Sequence, residues 1–140
     1  MAAAAGRWIV KTEPSTYSFQ DLVREGRTVW GGVRNAQALI HLRAMAAGDD
    51  VLVYHSGKDK GVVGTAGVAR GPYPDPDADD PRLVAVDLAA GKPFAHPVTL
   101  ARIKARPELA DLGLVRQGRL SVMPVTPGQW TALMRLAGGA

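Results

Sequence analysis

The feature that most constrains the fold of this 140-residue chain is a succession of short β-prone runs, each closed by turn residues. Six such runs are rich in β-branched and apolar side chains: residues 8–12, 51–55, 61–70, 82–88, 94–98 and 120–122. The second and third runs flank the turn Gly57-Lys58-Asp59-Lys60, which predicts a hairpin. Pro97 within the fifth run is typical of an edge strand.

The helical patterns between these runs are short. Ser18 with Asp21 forms a capping-box pattern for a helix that Gly26 ends, and Asn35 begins a second helix that Gly48 ends. Further helical segments are predicted at residues 100–105, at a turn that begins with Pro107, and after a capping box over residues 126–129. Because no βαβ period is visible, we expect an α+β fold with a curled, barrel-like sheet of mixed, mainly antiparallel strands.

Composition limits the chemistry that the chain can perform. It contains no cysteine, which excludes disulfides, thiolate metal sites and a cysteine nucleophile. Residues 92–119 hold six basic and two acidic side chains, an excess equal to the whole net charge of +4. This segment suits either attraction of phosphate or simple solubility. Residues 75–81 are acidic and bounded by prolines, which predicts an exposed loop away from phosphate.

Val29-Trp30-Gly31-Gly32-Val33-Arg34-Asn35 places one large ring beside bare backbone. Glycines let the main chain approach a flat ligand, the indole offers a stacking face, and the arginine and asparagine add hydrogen-bonding groups. This combination can hold a nucleobase. The alternative is a buried tryptophan followed by a turn and a helix N-cap at Asn35.

Six ordered motifs resemble those of the EVE domain family, a branch of the PUA-like superfamily that is related to YTH domains. They are Lys11-Thr12-Glu13-Pro14, Trp30-Gly31-Gly32-Val33-Arg34-Asn35, Tyr54-His55-Ser56, Gly61-Val62-Val63-Gly64, Tyr73-Pro74-Asp75-Pro76 and Arg116-Gln117-Gly118-Arg119-Leu120-Ser121-Val122. The resemblance runs from about residue 8 to about residue 136. Two positions differ from the family pattern: Thr12 replaces a serine, and Gly31 stands where many members carry a larger or acidic residue.

The resemblance implies a PUA-like pseudo-barrel whose pocket binds a nucleobase without turnover. Some EVE domains read modified cytosine in DNA, whereas PUA-like relatives more often bind RNA. The base-binding candidates are Trp30, Lys11, Thr12, Gly32, Val33, Asn35, His55, Ser56 and Ser121. The phosphate-binding candidates are Arg34, Lys58, Lys60, Arg116 and Arg119.

Several of these side chains have structural alternatives. The two serines suit local turn or cap bonds, and the two lysines lie on a predicted hairpin tip where solvation is the default. Arg34 suits either a phosphate or an internal carboxylate, and Glu13 suits a pair with Arg34 or Arg119. His55 and Ser56 are adjacent in a strand, so we expect them to point to opposite faces, one toward the core.

The leading hypothesis is a non-enzymatic reader that holds a flipped, modified base, a cytosine derivative in DNA, against Trp30. The alternatives are an RNA-modification binder, a small enzyme acting on free modified nucleobases or nucleotides, and a pocket for a protein or small ligand. His41, His55 and His96 lack metal-ligand spacing, so we expect neither metal nor cofactor. We also expect a disordered leader at residues 1–6, one domain at 7–138, a cytoplasmic monomer without membrane contact, and an effector protein in trans.

Overall fold

The computed structural model describes residues 6–138. The strands are β1 (Arg7–Thr12), β2 (Arg27–Trp30), β3 (Asp50–His55), β4 (Gly61–Pro74), β5 (Val84–Thr99) and β6 (Val122–Pro124). The helices are α1 (Phe19–Glu25), α2 (Ala36–Ala44), α3 (Leu100–Lys104), α4 (Gly113–Arg116) and α5 (Pro127–Leu136), and a 3-10 turn covers Pro107–Leu109.

The six strands form one mixed sheet in the order β2-β5-β4-β3-β1-β6. The β1–β3 pair is parallel and the other four pairs are antiparallel. This arrangement confirms the predicted α+β fold with mainly antiparallel strands. The central strand β3 buries Val51, Leu52, Val53 and Tyr54, which explains its continuous apolar sequence: both of its faces are covered.

Local signals located most helix starts correctly. Ser18 accepts a hydrogen bond from the Asp21 amide while the Asp21 carboxylate accepts one from the Ser18 amide, so the predicted capping box is present. Thr126 and Gln129 form the same reciprocal pair at the start of α5. Such boxes need only four consecutive residues, which is why the sequence reveals them.

The strand pattern near the end of the sheet differs from the prediction. Residues 84–99 form one long strand, β5, where the sequence predicts two separate strands at 82–88 and 94–98. Pro93 lies within β5 opposite Gly64, and the β4–β5 register shifts on both sides of Gly64. These irregularities accommodate a residue without an amide hydrogen, so the proline does not end the strand.

Strand β2 and helix α4 are absent from the sequence prediction. Residues 27–30 form β2, an edge strand in which Trp30 pairs with Val86 of β5. Strand β4 continues to Pro74, beyond the predicted end at Arg70. Strand β6 covers residues 122–124 instead of 120–122, so Ser121 precedes it and its carbonyl accepts a hydrogen bond from the Lys11 amide at 2.9 Å.

The chain enters the sheet at Gly6, whose amide donates to Asp49 Oδ1 at 2.9 Å. Gly6 is therefore anchored, although the sequence assigned it to the leader. The other leader residues, 1–5, lie outside the described residues. No helix among residues 6–138 is long and apolar enough to cross a membrane.

Candidate nucleic-acid interface

A cavity of about 380 Å³ lies beside Trp30, and we call it the Trp30 cavity. Its walls come from β1, β2, the segments that follow these strands, and a residue shortly before β6. The lining residues are Lys11, Thr12, Thr16, Tyr17, Thr28, Val29, Trp30, Gly31, Gly32, Val33, Arg34 and Ser121. Strands β2 and β1 are separated by three strands in the sheet, so a shared cavity requires the sheet to curl.

Two aromatic rings meet at right angles in the Trp30 cavity. The Trp30 and Tyr17 ring centroids are 6.0 Å apart with an interplanar angle of 82°. Trp30 is half-buried and packs against the core, while the same ring lines the cavity. The core interpretation therefore describes its packing, and stacking on a base stays a prediction. Burial and a hydrogen bond to Glu25 raise the pKa of Tyr17, which keeps its phenol neutral near pH 7.

The two glycines after Trp30 lie against the side chain of Asp75. The Gly32 amide donates to Asp75 Oδ2 at 2.7 Å, and the Asp77 amide donates to Asp75 Oδ1 at 3.0 Å. A Cβ atom built at Gly31 would lie 2.6 Å from Asp75 Oδ2. Gly31 thus leaves the space that the carboxylate occupies, and Gly32 adopts a φ of +71° that favours glycine.

This contact corrects the prediction that the acidic loop is exposed throughout. Asp75 is only 5% exposed, because its carboxylate satisfies two backbone amides. The buried carboxylate therefore holds the Gly31-Gly32 segment of the cavity wall through its bond with the Gly32 amide. The rest of the loop keeps the predicted polar character, and Asp77 and Asp79 are exposed.

Three of the predicted base-binding residues, Lys11, Thr12 and Ser121, line the Trp30 cavity, and the side chains of Lys11 and Thr12 have defined partners. The Lys11 ammonium donates to the Gly118 carbonyl at 2.6 Å. The Thr12 hydroxyl donates to the Tyr17 carbonyl at 2.6 Å, which fixes the segment that carries the second aromatic ring. Ser121 is half-buried at the same wall, beside the Lys11 amide.

The structure places three other base-binding candidates away from the Trp30 cavity. Asn35 Oδ1 accepts from the Ala38 amide at 3.0 Å and caps α2, as predicted. His55 is buried, as expected if one residue of the adjacent pair His55-Ser56 points toward the core. Its Nε2 accepts a hydrogen bond from the Phe19 amide at 2.9 Å. Burial lowers the pKa of His55 and favours the neutral ring that this bond requires. Ser56 lines a neighbouring cavity.

The phosphate-binding candidates are spread over several surfaces. Arg34 is exposed and lines the Trp30 cavity, whereas Lys58 lies in a cleft beside Glu13. Arg119 lines a shallow hollow next to Asn35. The remaining two are Lys60, which lines the same neighbouring cavity as Ser56, and Arg116, whose Nη1 pairs with Asp111 Oδ1 at 2.7 Å.

Glu13 does not use Arg34 as its partner, since its carboxylate accepts from the Ser15 amide at 2.8 Å.

Within residues 6–138, no cluster of three or more histidine, aspartate or glutamate side chains is arranged to hold a metal ion.

Sequence reasoning missed several residues that line the Trp30 cavity. Tyr17 is the most important of them, because it supplies the second ring. Its only local signal is its place directly before the Ser18 N-cap, where an apolar residue ordinarily packs against its own helix. Thr16 and Thr28 carry no signal, since only the fold brings the segment after β1 beside β2.

Known proteins resemble this chain in sequence and in fold. The EVE domain model matches residues 6–136. Human thymocyte nuclear protein 1 is 27% identical over 166 aligned residues, which cover 94% of this chain and 74% of that protein. A solved structure from Rhodopseudomonas palustris is 43% identical with a TM-score of 0.90, and covers 96% of this chain and 94% of its own.

Human THYN1, solved in complex with DNA containing 5-methylcytosine, is 26% identical with a TM-score of 0.89, and covers 97% of this chain and 99% of its own. The family model spans nearly all of the described residues, and the sheet and helices agree with the solved structures. The resemblance seen in the sequence motifs is therefore confirmed, and the chain belongs to the EVE domain family.

Proposed function

We propose that this chain is a non-enzymatic binder of DNA that contains a modified cytosine, and that the modified base enters the Trp30 cavity. The observation that carries the proposal is the pair of perpendicular rings, Trp30 and Tyr17, beside exposed main chain in one cavity. The complex of human THYN1 with 5-methylcytosine DNA supports the choice of polymer and of base. A base reaches such a cavity only after it leaves the helical stack.

The cavity offers the three components that recognition of a single base needs. The indole of Trp30 provides a stacking plane, which contributes about 1–3 kcal/mol per base in proteins that bind single strands. The edge strand β2 and the Gly31-Gly32 segment line the cavity, and the outer amide and carbonyl groups of an edge strand can bond a base edge. Val29 and Val33 add apolar surface against which a methyl group can pack.

A methyl group alone gives little selectivity. Burying one additional carbon contributes about 0.8 kcal/mol, which is roughly a fourfold preference. Larger discrimination requires that the unmodified base leave a hydrogen-bonding group without a partner. We therefore expect a modest preference for 5-methylcytosine over cytosine unless an edge contact contributes.

The proposal is tested by fluorescence anisotropy with labelled oligonucleotides that carry one 5-methylcytosine or one cytosine at the same position. Trp30→Ala should weaken binding of the modified strand by about 10- to 100-fold, which corresponds to the loss of one stacking contact. Trp130→Phe is the matched control, since Trp130 lies on α5 beside Arg7 and outside the cavity. Equal affinities for Trp30→Ala and the parent would refute the base-binding cavity.

Three further measurements address the other hypotheses: binding to modified RNA, turnover of free modified nucleotides, and the salt dependence of binding. Tighter binding to modified RNA than to modified DNA would move the proposal to RNA. Formation of a product from free modified nucleotides would contradict a purely binding role. Binding that does not change with salt would contradict contacts to phosphate, because release of counterions makes nucleic-acid affinity salt-dependent.

A further inference from the structure

A second cavity, of about 260 Å³, adjoins the first one at Lys11, and we call it the lysine cavity. Lys11 lines both cavities. The residues of the lysine cavity are Lys11, Tyr54, Ser56, Lys60, Leu100, Lys104, Leu114, Val115 and Gly118. Three of them carry a positive charge, and no carboxylate is among the described residues that line this cavity.

The backbone holds the three lysines on fixed elements. Lys11 lies on β1 opposite Tyr54 of β3, and its ammonium is 5.6 Å from the centre of the Tyr54 ring. Lys60 directly precedes β4, and its carbonyl accepts a hydrogen bond from the amide of Leu100, the first residue of α3. Lys104 is the last residue of α3. The lysines therefore lie on β1, directly before β4, and at the end of α3.

The charges at this site repel one another. Burial lowers the pKa of Lys11, and the positive charge of Lys60 lowers it further. An anion between the lysines would relieve both effects, because it replaces lost solvation and screens the like charges. The Ser56 hydroxyl lies at the same wall, and its contact with the Thr12 carbonyl is long, at 3.4 Å, so it can turn to an incoming oxygen.

We propose that the lysine cavity binds the phosphate next to the nucleotide whose base enters the Trp30 cavity. This inference rests on the proposed function and deepens it. It gives Lys11 a position between base and phosphate, and it adds Lys104, which the sequence motifs do not include. Three ammonium groups and one hydroxyl are the donors that phosphate oxygens accept from. The apolar floor of Leu100, Leu114 and Val115 can pack against the attached sugar.

The test compares Lys60→Gln/Lys104→Gln with Arg24→Gln/Lys92→Gln, a pair that removes the same charge from exposed residues outside both cavities. Affinity for an oligonucleotide with one 5-methylcytosine is measured over a salt series. Each phosphate contact contributes about 0.9 to the slope of log affinity against log salt. We expect the slope of the lysine-cavity pair to be shallower than that of the control pair by about 1. Equal slopes would overturn the inference.

A second arm separates the source of the phosphate. The lysine side-chain NMR signals are followed during titration with inorganic phosphate and with the oligonucleotide, and both should shift the signals of Lys11, Lys60 and Lys104. Shifts with inorganic phosphate alone would overturn the nucleic-acid assignment.

The two proposals fail in different ways. A shallower slope in the lysine-cavity pair together with equal affinities of Trp30→Ala and the parent would refute the base-binding cavity and still support a phosphate site in the lysine cavity. A retained preference for 5-methylcytosine with equal slopes in the two variant pairs would refute the phosphate site and support the proposed function.

Discussion

Gly31→Ala should destabilise the protein by displacing the carboxylate of Asp75. The new Cβ atom would lie 2.6 Å from Asp75 Oδ2, and ordinary contact begins at 3.4 Å, so the carboxylate must move by about 0.8 Å. Such a shift directed away from the wall would lengthen the 2.7 Å bond from the Gly32 amide to about 3.5 Å, beyond the normal range for N–H···O bonds.

The expected loss follows from that bond. Asp75 is buried, and a buried acceptor that loses its donor costs about 1–3 kcal/mol. The alanine offsets part of this loss, about 0.4–1 kcal/mol, because it restricts the unfolded chain more than glycine does. Position 31 does not have a positive φ, so alanine can adopt its backbone conformation. We therefore expect a decrease of about 1–2 kcal/mol in the free energy of unfolding, measured by urea denaturation with circular dichroism.

A double-mutant cycle isolates the contact. In the Asp75→Ala background the carboxylate is gone, so Gly31→Ala should be neutral or stabilising there, which gives a coupling of about 2 kcal/mol. Gly128→Ala, at a glycine of α5 with nothing within 4 Å of its Cβ position, is the control for a general glycine effect. An equal effect of Gly31→Ala in both backgrounds would refute the role given to Asp75.

Two further predictions concern buried side chains outside the Trp30 cavity. Asp49→Ala should lower the free energy of unfolding by about 3 kcal/mol, since the Asp49 carboxylate accepts from the Trp8 indole and from two backbone amides. In urea denaturation, Asp49→Asn should show a smaller decrease in the free energy of unfolding than Asp49→Ala. His55 has a lowered pKa in the folded state, so its contribution to stability is complete above the unfolded value of about 6.5 and is lost as the pH falls through the folded pKa. Urea denaturation at pH 7.5 and 5.5 should therefore show a smaller pH effect for His55→Gln than for the parent, and an equal effect would contradict the neutral His55 that accepts from Phe19.

The sequence predicts those parts of the fold that depend on neighbouring residues. The caps at Ser18, Asn35 and Thr126 are local and are all present. Strand β2 was missed because four residues of alternating exposure carry little signal, and the strand exists only through pairing with β5, about sixty residues away. Strand β5 was divided in two because the β-prone pattern stops at residue 88 and resumes at residue 94, whereas the bulged ladder with β4 continues through Pro93.

The candidate site shows the same division. The family motifs located Trp30 and both glycines, and the structure places them in one cavity wall. Asp75 could not be assigned to that wall from sequence, because a carboxylate is ordinarily exposed and its partner amide is 43 residues away. Tyr17 was missed for a related reason, since only the curl of the sheet brings it to Trp30.

The unpaired edge of β2 has a consequence for how related chains diverge. Residues 28–30 belong to this edge strand and line the Trp30 cavity, and the amide and carbonyl groups of a strand are the same whatever side chains it carries. A substitution can remove a side-chain contact, but it removes a backbone donor only when it introduces proline. Side-chain substitutions along β2 that do not introduce proline therefore leave the backbone hydrogen-bonding groups of this edge in place.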